Sequence, residues 1–267
     1  MNNKIRLYGF NNLTKTLSFN IYDVCYAKTL EEKKAYLDYI DEQYNSERLT
    51  KILCDVTKMI GASVLNISKQ DYDPQGASVN LLISEEPVED IDPSCNKGEG
   101  LIPLKDSIMG HLDKSHLTVH TYPESHPDNN LSTFRVDIDV STCGTISPLK
   151  ALNYLIDSFD SDILTLDYRV RGFTREVKGK KCYIDHEISS IQDYIFEDTI
   201  TQYHSIDMNI YQSNLFHTKM RKKELELSDY IFNKSTDEID EEEQKVILSH
   251  LEKEMQEIFT GTNIYSK

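Results

Sequence analysis

The run LSTFRVDIDVS at residues 131–141 decides how this chain is to be read. Phe134, Val136, Ile138 and Val140 alternate with Arg135, Asp137 and Asp139. A period of two marks a strand with one buried and one wetted face. Outward from it, SHLTVHTY (115–122) shows the same habit, with PESHPDNN (123–130) as the turn between the two. Further upstream, ASVLNIS (62–68) and ASVNLLIS (77–84) flank DYDPQG (71–76), a second strand–turn–strand signal. Downstream, DILTLDYRVRGF (162–173) reads as a fifth strand and GKKCYID (179–185) as a sixth.

Helical signals flank this β-rich middle. Thr29 followed by Glu32 fits a capping box and opens a helix to about Tyr44, with Leu37, Ile40 and Tyr44 on one face. A second helix is expected from about Ser46 to Ile60, striped by Leu49, Ile52, Leu53, Val56 and Ile60 and closed by Gly61. Ser147 as N-cap and Pro148 at the first turn open a helix through Leu149, Leu152, Leu155 and Ile156. Residues 1–28 are mixed, 85–110 lack periodicity, and the chain from His186 onward reads as mostly helical, with DEIDEEEQ (237–244) as a solvated helix start. The sum is α+β: an antiparallel sheet with helices packed on one face, plus helical N- and C-terminal extensions. A single domain over 1–267 is expected, its core about 62–185.

Composition narrows the partners. A formal charge of −16 over 267 residues argues against nucleic acid or an anionic membrane surface, and would favour a cationic ligand. Acidity for solubility alone is the blander reading. Five cysteines (Cys25, Cys54, Cys95, Cys143 and Cys182) without a CxxC spacing suggest a reducing compartment. MNNKIRLYGF has no apolar leader core and no apolar run is long enough to span a bilayer, so a cytoplasmic protein is expected.

The chemistry concentrates in KSHLTVHTYPE, with STCG (141–144) as its companion. His116, His120 and Tyr122 share one strand face, and Cys143 falls in a turn just before a helix, where a thiol can be exposed and its pKa tuned. Three readings compete. A Ser/His nucleophile pair lacks a GxSxG elbow, a metal site from His116, His120 and Cys143 lacks a further ligand, and the third is self-processing at Ser115.

KSHLTVHTYPE together with FRVDIDVSTCGTISPLKALNYL resembles the pyruvoyl-dependent S-adenosylmethionine decarboxylases. YGFNNLTKTLSFNIYDVCYAKT, QDYDPQGAS and the RVRGFTR region are similar to the longer bacterial form, so the likeness covers essentially the whole chain. It implies that the proenzyme cuts itself between Lys114 and Ser115, giving chains 1–114 and 115–267, with Ser115 becoming a pyruvoyl group that forms a Schiff base with the substrate amine. It further implies His120 as the base of processing, Ser78 as a serine assisting it, and Cys143 as the proton donor in turnover. That donor needs a protonated thiol, whereas a nearby helix N-terminus would lower the thiol pKa. Glu124 would hold the ribose hydroxyls, with Tyr72 and Tyr122 on the adenine and the sulfonium.

The implied product feeds spermidine synthesis, and Mg²⁺ is implied as an activator with ligands unknown. Lys114 departs from the many relatives that carry Glu before the processed serine. Two other functions compete with this one. A pyruvoyl decarboxylase for another amino acid is disfavoured by Tyr72 and Glu124, and a non-catalytic acidic binding protein by intact Ser115, His120 and Cys143. Strand geometry adds one expectation of its own. Five residues span roughly 16 Å, and odd spacing puts Ser115 and His120 on opposite faces. Either the chain bends sharply at 115–116 or His120 comes from a second protomer; the resemblance favours the second and implies a homo-oligomer, a dimer or tetramer of cleaved protomers.

Overall fold

In the computed structural model, residues 6–73, 75–85, 115–126 and 130–265 are described. Lys114, Cys95 and most of the 85–110 segment lie outside them. Eleven strands are present in that part of the chain: β1 (Leu7–Asn11), β2 (Thr14–Tyr26), β3 (Ser63–Asp71), β4 (Ala77–Ser84), β5 (Ser115–Ser125), β6 (Leu131–Cys143), β7 (Ile163–Arg171), β8 (Thr174–Glu176), β9 (Lys181–Cys182), β10 (Tyr203–Asp207) and β11 (Leu215–Lys222). Eight of them form one antiparallel sheet in the order β10-β11-β7-β2-β6-β5-β4-β3, and β1, β8 and β9 form a separate small sheet.

The alternation read at 131–141 sets the two faces. Phe134, Val136, Ile138 and Val140 are buried, as are Leu117 and Val119 of β5 and Val79, Leu81 and Ile83 of β4. On that face pack helix α1 (Leu30–Gln43) and helix α2 (Ser46–Ile60). α1 starts at the expected capping box, with Thr29 accepting from the Glu32 amide and Glu32 accepting from the Thr29 amide. α2 runs from its Asn45 cap to Gly61, whose φ of 83° is the left-handed turn that a residue with a Cβ rarely adopts. Its stripe of Leu49, Ile52, Leu53, Val56 and Ile60 is buried, each side chain contributing about 1.5–3 kcal/mol of apolar transfer.

Four expectations need correction. The mixed N-terminal segment contains β2, a 13-residue strand that runs between β6 and β7 in the middle of the sheet. The segment after His186 is not mostly helical. It adds β10 and β11 to the sheet, because LFHTKMRK alternates buried Phe216, Thr218 and Met220 with wetter neighbours. Ser147 makes no side-chain cap bond; the chain there is a single 3-10 turn, Pro148–Ala151, leading into the short helix α3 (Leu152–Asp157). The sixth strand, expected over 179–185, is the two-residue β9, and it belongs to the small sheet.

A further short helix, α4 (Glu197–Thr201), precedes β10, and the long α5 (Glu241–Thr260) closes the chain. Asp240 caps α5 by accepting from the amides of Glu242 and Glu243, and acidic residues fill its first turn, where the helix dipole favours negative charge. α5 lies on the other face of the sheet. Its Ile247, Leu251, Met255 and Phe259 pack with Val24, Leu131 and Ile163, which alternate with the inward residues of their strands. α5 therefore covers one end of that face and leaves the other end to polar side chains.

Candidate active site

β5 carries both halves of the expected chemistry, on opposite faces. Ser115, Leu117, Val119 and Thr121 are buried, while His116, Thr118 and His120 between them are half-buried on the polar face. Ser115 sits across from Ile83, whereas His120 sits across from Ser78 on β4 and Asp137 on β6. The two residues are thus separated along the strand by roughly 16 Å and by the sheet itself.

The Ser115 end also holds Cys143. Cys143 is the last residue of β6, paired with Thr14, and is exposed. Its amide donates to Glu85 Oε1, and the same oxygen accepts the Ser115 hydroxyl at 3.0 Å. Gly144 turns the chain with φ 66°, and its amide donates to the Leu13 carbonyl at 2.9 Å. The Gly144 carbonyl accepts from Asn11 Nδ2 at 3.0 Å and from Lys15 Nζ at 2.9 Å. Lys15 is fully buried and reaches Asp185 Oδ2 at 2.8 Å, and Asn11 donates to that same oxygen. Asp185 Oδ1 bonds His186 Nδ1 at 2.8 Å, and Tyr168 stands against the other ring nitrogen at 3.2 Å. Burial opposes the Asp185 charge, but hydrogen bonds from His186, Lys15 and Asn11 together with the Lys15 charge outweigh it. Its carboxyl is held well below the usual carboxylate range.

The His120 end forms a second cluster. Ser78 and Tyr72 share a hydrogen bond of 2.8 Å through their hydroxyls, and the rings of His120 and Tyr122 lie 6.4 Å apart. The Arg135 guanidinium stacks over the Tyr122 ring at 4.3 Å and pairs with Asp137 at 3.0 Å, while Asn20 donates to the other Asp137 oxygen at 2.6 Å. Tyr122, Glu124, Thr133 and Arg135, with Tyr22 of β2 and Glu254 and Ile258 of α5, line a cleft of about 390 Å³. Burial pushes the Glu254 carboxyl up.

The expected residues therefore fall into two groups. Ser115 and Cys143 come together at one end of their strands; Ser78, Tyr72, His120, Tyr122 and Glu124 gather toward the other. Glu85, Lys15, Asp185, Arg135 and Glu254 went unread in the sequence. Only the charge–apolar alternation of Lys15 with Leu17, Phe19 and Ile21 signalled a buried lysine. The metal reading finds no support: among the described residues no three His, Cys, Asp or Glu side chains converge.

The comparisons with known proteins agree on one family. The family model described as S-adenosylmethionine decarboxylase matches residues 36–172. An S-adenosylmethionine decarboxylase proenzyme of Alkaliphilus oremlandii is 70% identical over 264 residues, covering 98% of each chain. Those of Clostridium botulinum and Clostridium perfringens are each 69% identical, over 268 and 265 residues. The first covers 99% of this chain and 98% of the relative, and the second 98% of each. Matched along nearly its whole length, this chain belongs to the S-adenosylmethionine decarboxylase family.

Proposed function

We propose that the chain is a proenzyme that cuts itself between Lys114 and Ser115 and then acts as a pyruvoyl enzyme. The activity is that of its family: S-adenosylmethionine loses its carboxylate as CO₂, and the decarboxylated product serves polyamine synthesis. A pyruvoyl group derived from Ser115 would supply an electron sink for the decarboxylation. The chain's own residues do the rest. Cys143, exposed and tied to Ser115 through Glu85, is the proton donor to the substrate α-carbon. Glu124 accepts from the ribose hydroxyls, and Tyr122 and Tyr72 present ring faces to the adenine and the sulfonium.

His120 is the base that removes the Ser115 α-proton in processing, with Ser78 beside it. Because β5 keeps the two on opposite faces, the His120 that serves one Ser115 belongs to a second copy, so the enzyme is at least a dimer. The single domain then exists as chains 1–114 and 115–267. Mg²⁺ is an activator in this reading. Among the described residues no helix is long and apolar enough to cross a membrane, and a cytoplasmic site fits that. The observation that carries the reading is the meeting of Ser115 and Cys143 at one sheet end.

Mass spectrometry of the purified protein tests it. Two chains are expected, the longer blocked by a pyruvoyl end, with CO₂ released from carboxyl-labelled S-adenosylmethionine. Ser115→Ala should remain one inactive chain, and a single wild-type chain, inert after long incubation, sinks the reading. Co-expression of Ser115→Ala with His120→Ala should restore some activity; none at all would return His120 to its own protomer.

A further inference from the structure

The first step of self-cleavage needs a base that no residue so far provides. The Ser115 hydroxyl must lose its proton as its oxygen attacks the preceding carbonyl, and His120 lies on the far face with a different proton to remove. Glu85 stands where such a base is required. It follows the last residue of β4, and its Oε1 accepts the Ser115 hydroxyl at 3.0 Å, within the reach that proton transfer demands. The same oxygen accepts the Cys143 amide, which fixes the carboxylate against the turn. Gly144 completes the seat: a Cβ there would come within 2.9 Å of Glu85 Oε2, so any larger residue displaces the carboxylate.

We propose that Glu85 is the general base, and then the general acid, of the N→O acyl shift at Ser115. The carboxylate takes the hydroxyl proton as Ser115 Oγ bonds to the carbonyl carbon of residue 114. The tetrahedral adduct collapses, the C–N bond to Ser115 breaks, and the proton held by Glu85 passes to the departing nitrogen. One amide becomes one ester with a free amine, no atom is gained or lost, and the carboxylate is regenerated. The partner's His120 can then act on the ester by removing the Ser115 α-proton. Glu85 stays in the shorter chain, still held by the Cys143 amide, beside the new end of the longer one.

This inference rests on the self-processing reading, and the test separates the two. Full-length wild type, Glu85→Gln, Glu85→Asp and His120→Ala are purified early. Cleavage is followed by mass spectrometry, with and without hydroxylamine, which cuts esters and spares amides. Glu85→Gln keeps the acceptor oxygen for the Cys143 amide but cannot take a proton. Its cleavage should slow by about 10²- to 10⁴-fold, the span of a lost acid–base group, and its uncut chain should resist hydroxylamine. His120→Ala, blocked one step later, should accumulate a chain that hydroxylamine cuts.

A Glu85→Gln protein that cleaves at the wild-type rate, or that stores a hydroxylamine-labile ester, overturns the assignment. Should Glu85→Gln fail to fold by circular dichroism, Glu85→Asp decides. A folded, slowed, hydroxylamine-resistant chain supports the assignment, and an unchanged rate refutes it. If wild type itself never cleaves, the self-processing reading falls, and this one with it.

Discussion

Strand β2 meets a buried carboxylate near each of its ends, and the two are handled in opposite ways. At the first end, Asp185 faces the fully buried Lys15, with Asn11 and His186 completing its shell. At the second, Asp162 accepts from the Val24 amide at 2.8 Å and the Tyr230 hydroxyl at 2.7 Å. Its near neighbours include two further acids, Asp23 and Asp160, against one lysine, Lys222. Burial, only partly offset by those hydrogen bonds, pushes Asp162 up to about 6, and burial followed by the charge of Asp162 raises Asp23 well above its usual value. The partners decide the sign: His186 first and then the Lys15 ion pair outweigh burial at Asp185, and no such set surrounds Asp162. The end that must stay charged anchors the Gly144 turn beside Ser115 and Cys143, whereas the end that can neutralise sits under Tyr230 and α5.

The largest effect expected from breaking this contrast is at Lys15. Lys15→Met leaves Asp185 buried without its cation, which costs about 3–5 kcal/mol when one partner of a buried pair is removed. Urea unfolding should show that loss, and the Gly144 turn, left with Asn11 alone on its carbonyl, should slow chain cleavage in parallel. Adding Asp185→Asn should recover part of the stability. A double variant no better than Lys15→Met would mean the lysine acts through packing alone.

The pH dependence comes next. Asp162, raised in the fold, favours the protonated state, so its stabilising contribution is present below the unfolded carboxylate value of about 3.9. It is lost as pH climbs through about 6. Asp185 is depressed, so its contribution is present above about 3.9 and is lost only as pH falls below that. Between pH 4 and 7 Asp162 should titrate, whereas the carboxyl of Asp185, held low, should stay charged. Asp162→Asn should flatten the wild-type dependence over that window, measured as unfolding free energy against pH. The same slope in both proteins would remove Asp162 from the account.

The smallest effect belongs to the polar face between the ends. Arg135 covers the Tyr122 ring and is itself partly exposed. Arg135→Met should leave cleavage intact, cost about 0.5–1 kcal/mol for the lost cation–π contact, and move KM for S-adenosylmethionine by no more than about tenfold. A fall in kcat at constant KM would place Arg135 in the chemistry rather than beside it.

Much of the architecture was legible because single periods dominate. The α2 stripe ends on Gly61 as expected, and β4 spans 77–84, both from local pattern alone. β2 was not legible for a physical reason. Its inward-facing positions are Lys15, Leu17, Phe19, Ile21 and Asp23, and the charged residues at both ends break the apolar alternation that announces a strand. Those charges are tolerated only through partners at 144, 185 and 162, distant in sequence. β11 was missed because the basic residues of LFHTKMRK hide the three buried positions Phe216, Thr218 and Met220, and β10 because none of its five residues is buried. Of the site, the residue types and the opposite facing of Ser115 and His120 could be read, since side-chain parity along a strand is local.

What the sequence by itself determined is therefore the family, the candidate site residues and the two faces of β5, since motif and parity need no distant information. Which of those residues meet was decided by the tertiary structure. The pairing of β4, β5 and β6 brings Glu85, Ser115 and Cys143 to one end and Ser78 and His120 to another. The burial of Lys15 against Asp185 then holds the first end in place. Each of these contacts joins segments far apart in the chain, and only folding sets whether a carboxylate there finds a cation or a proton.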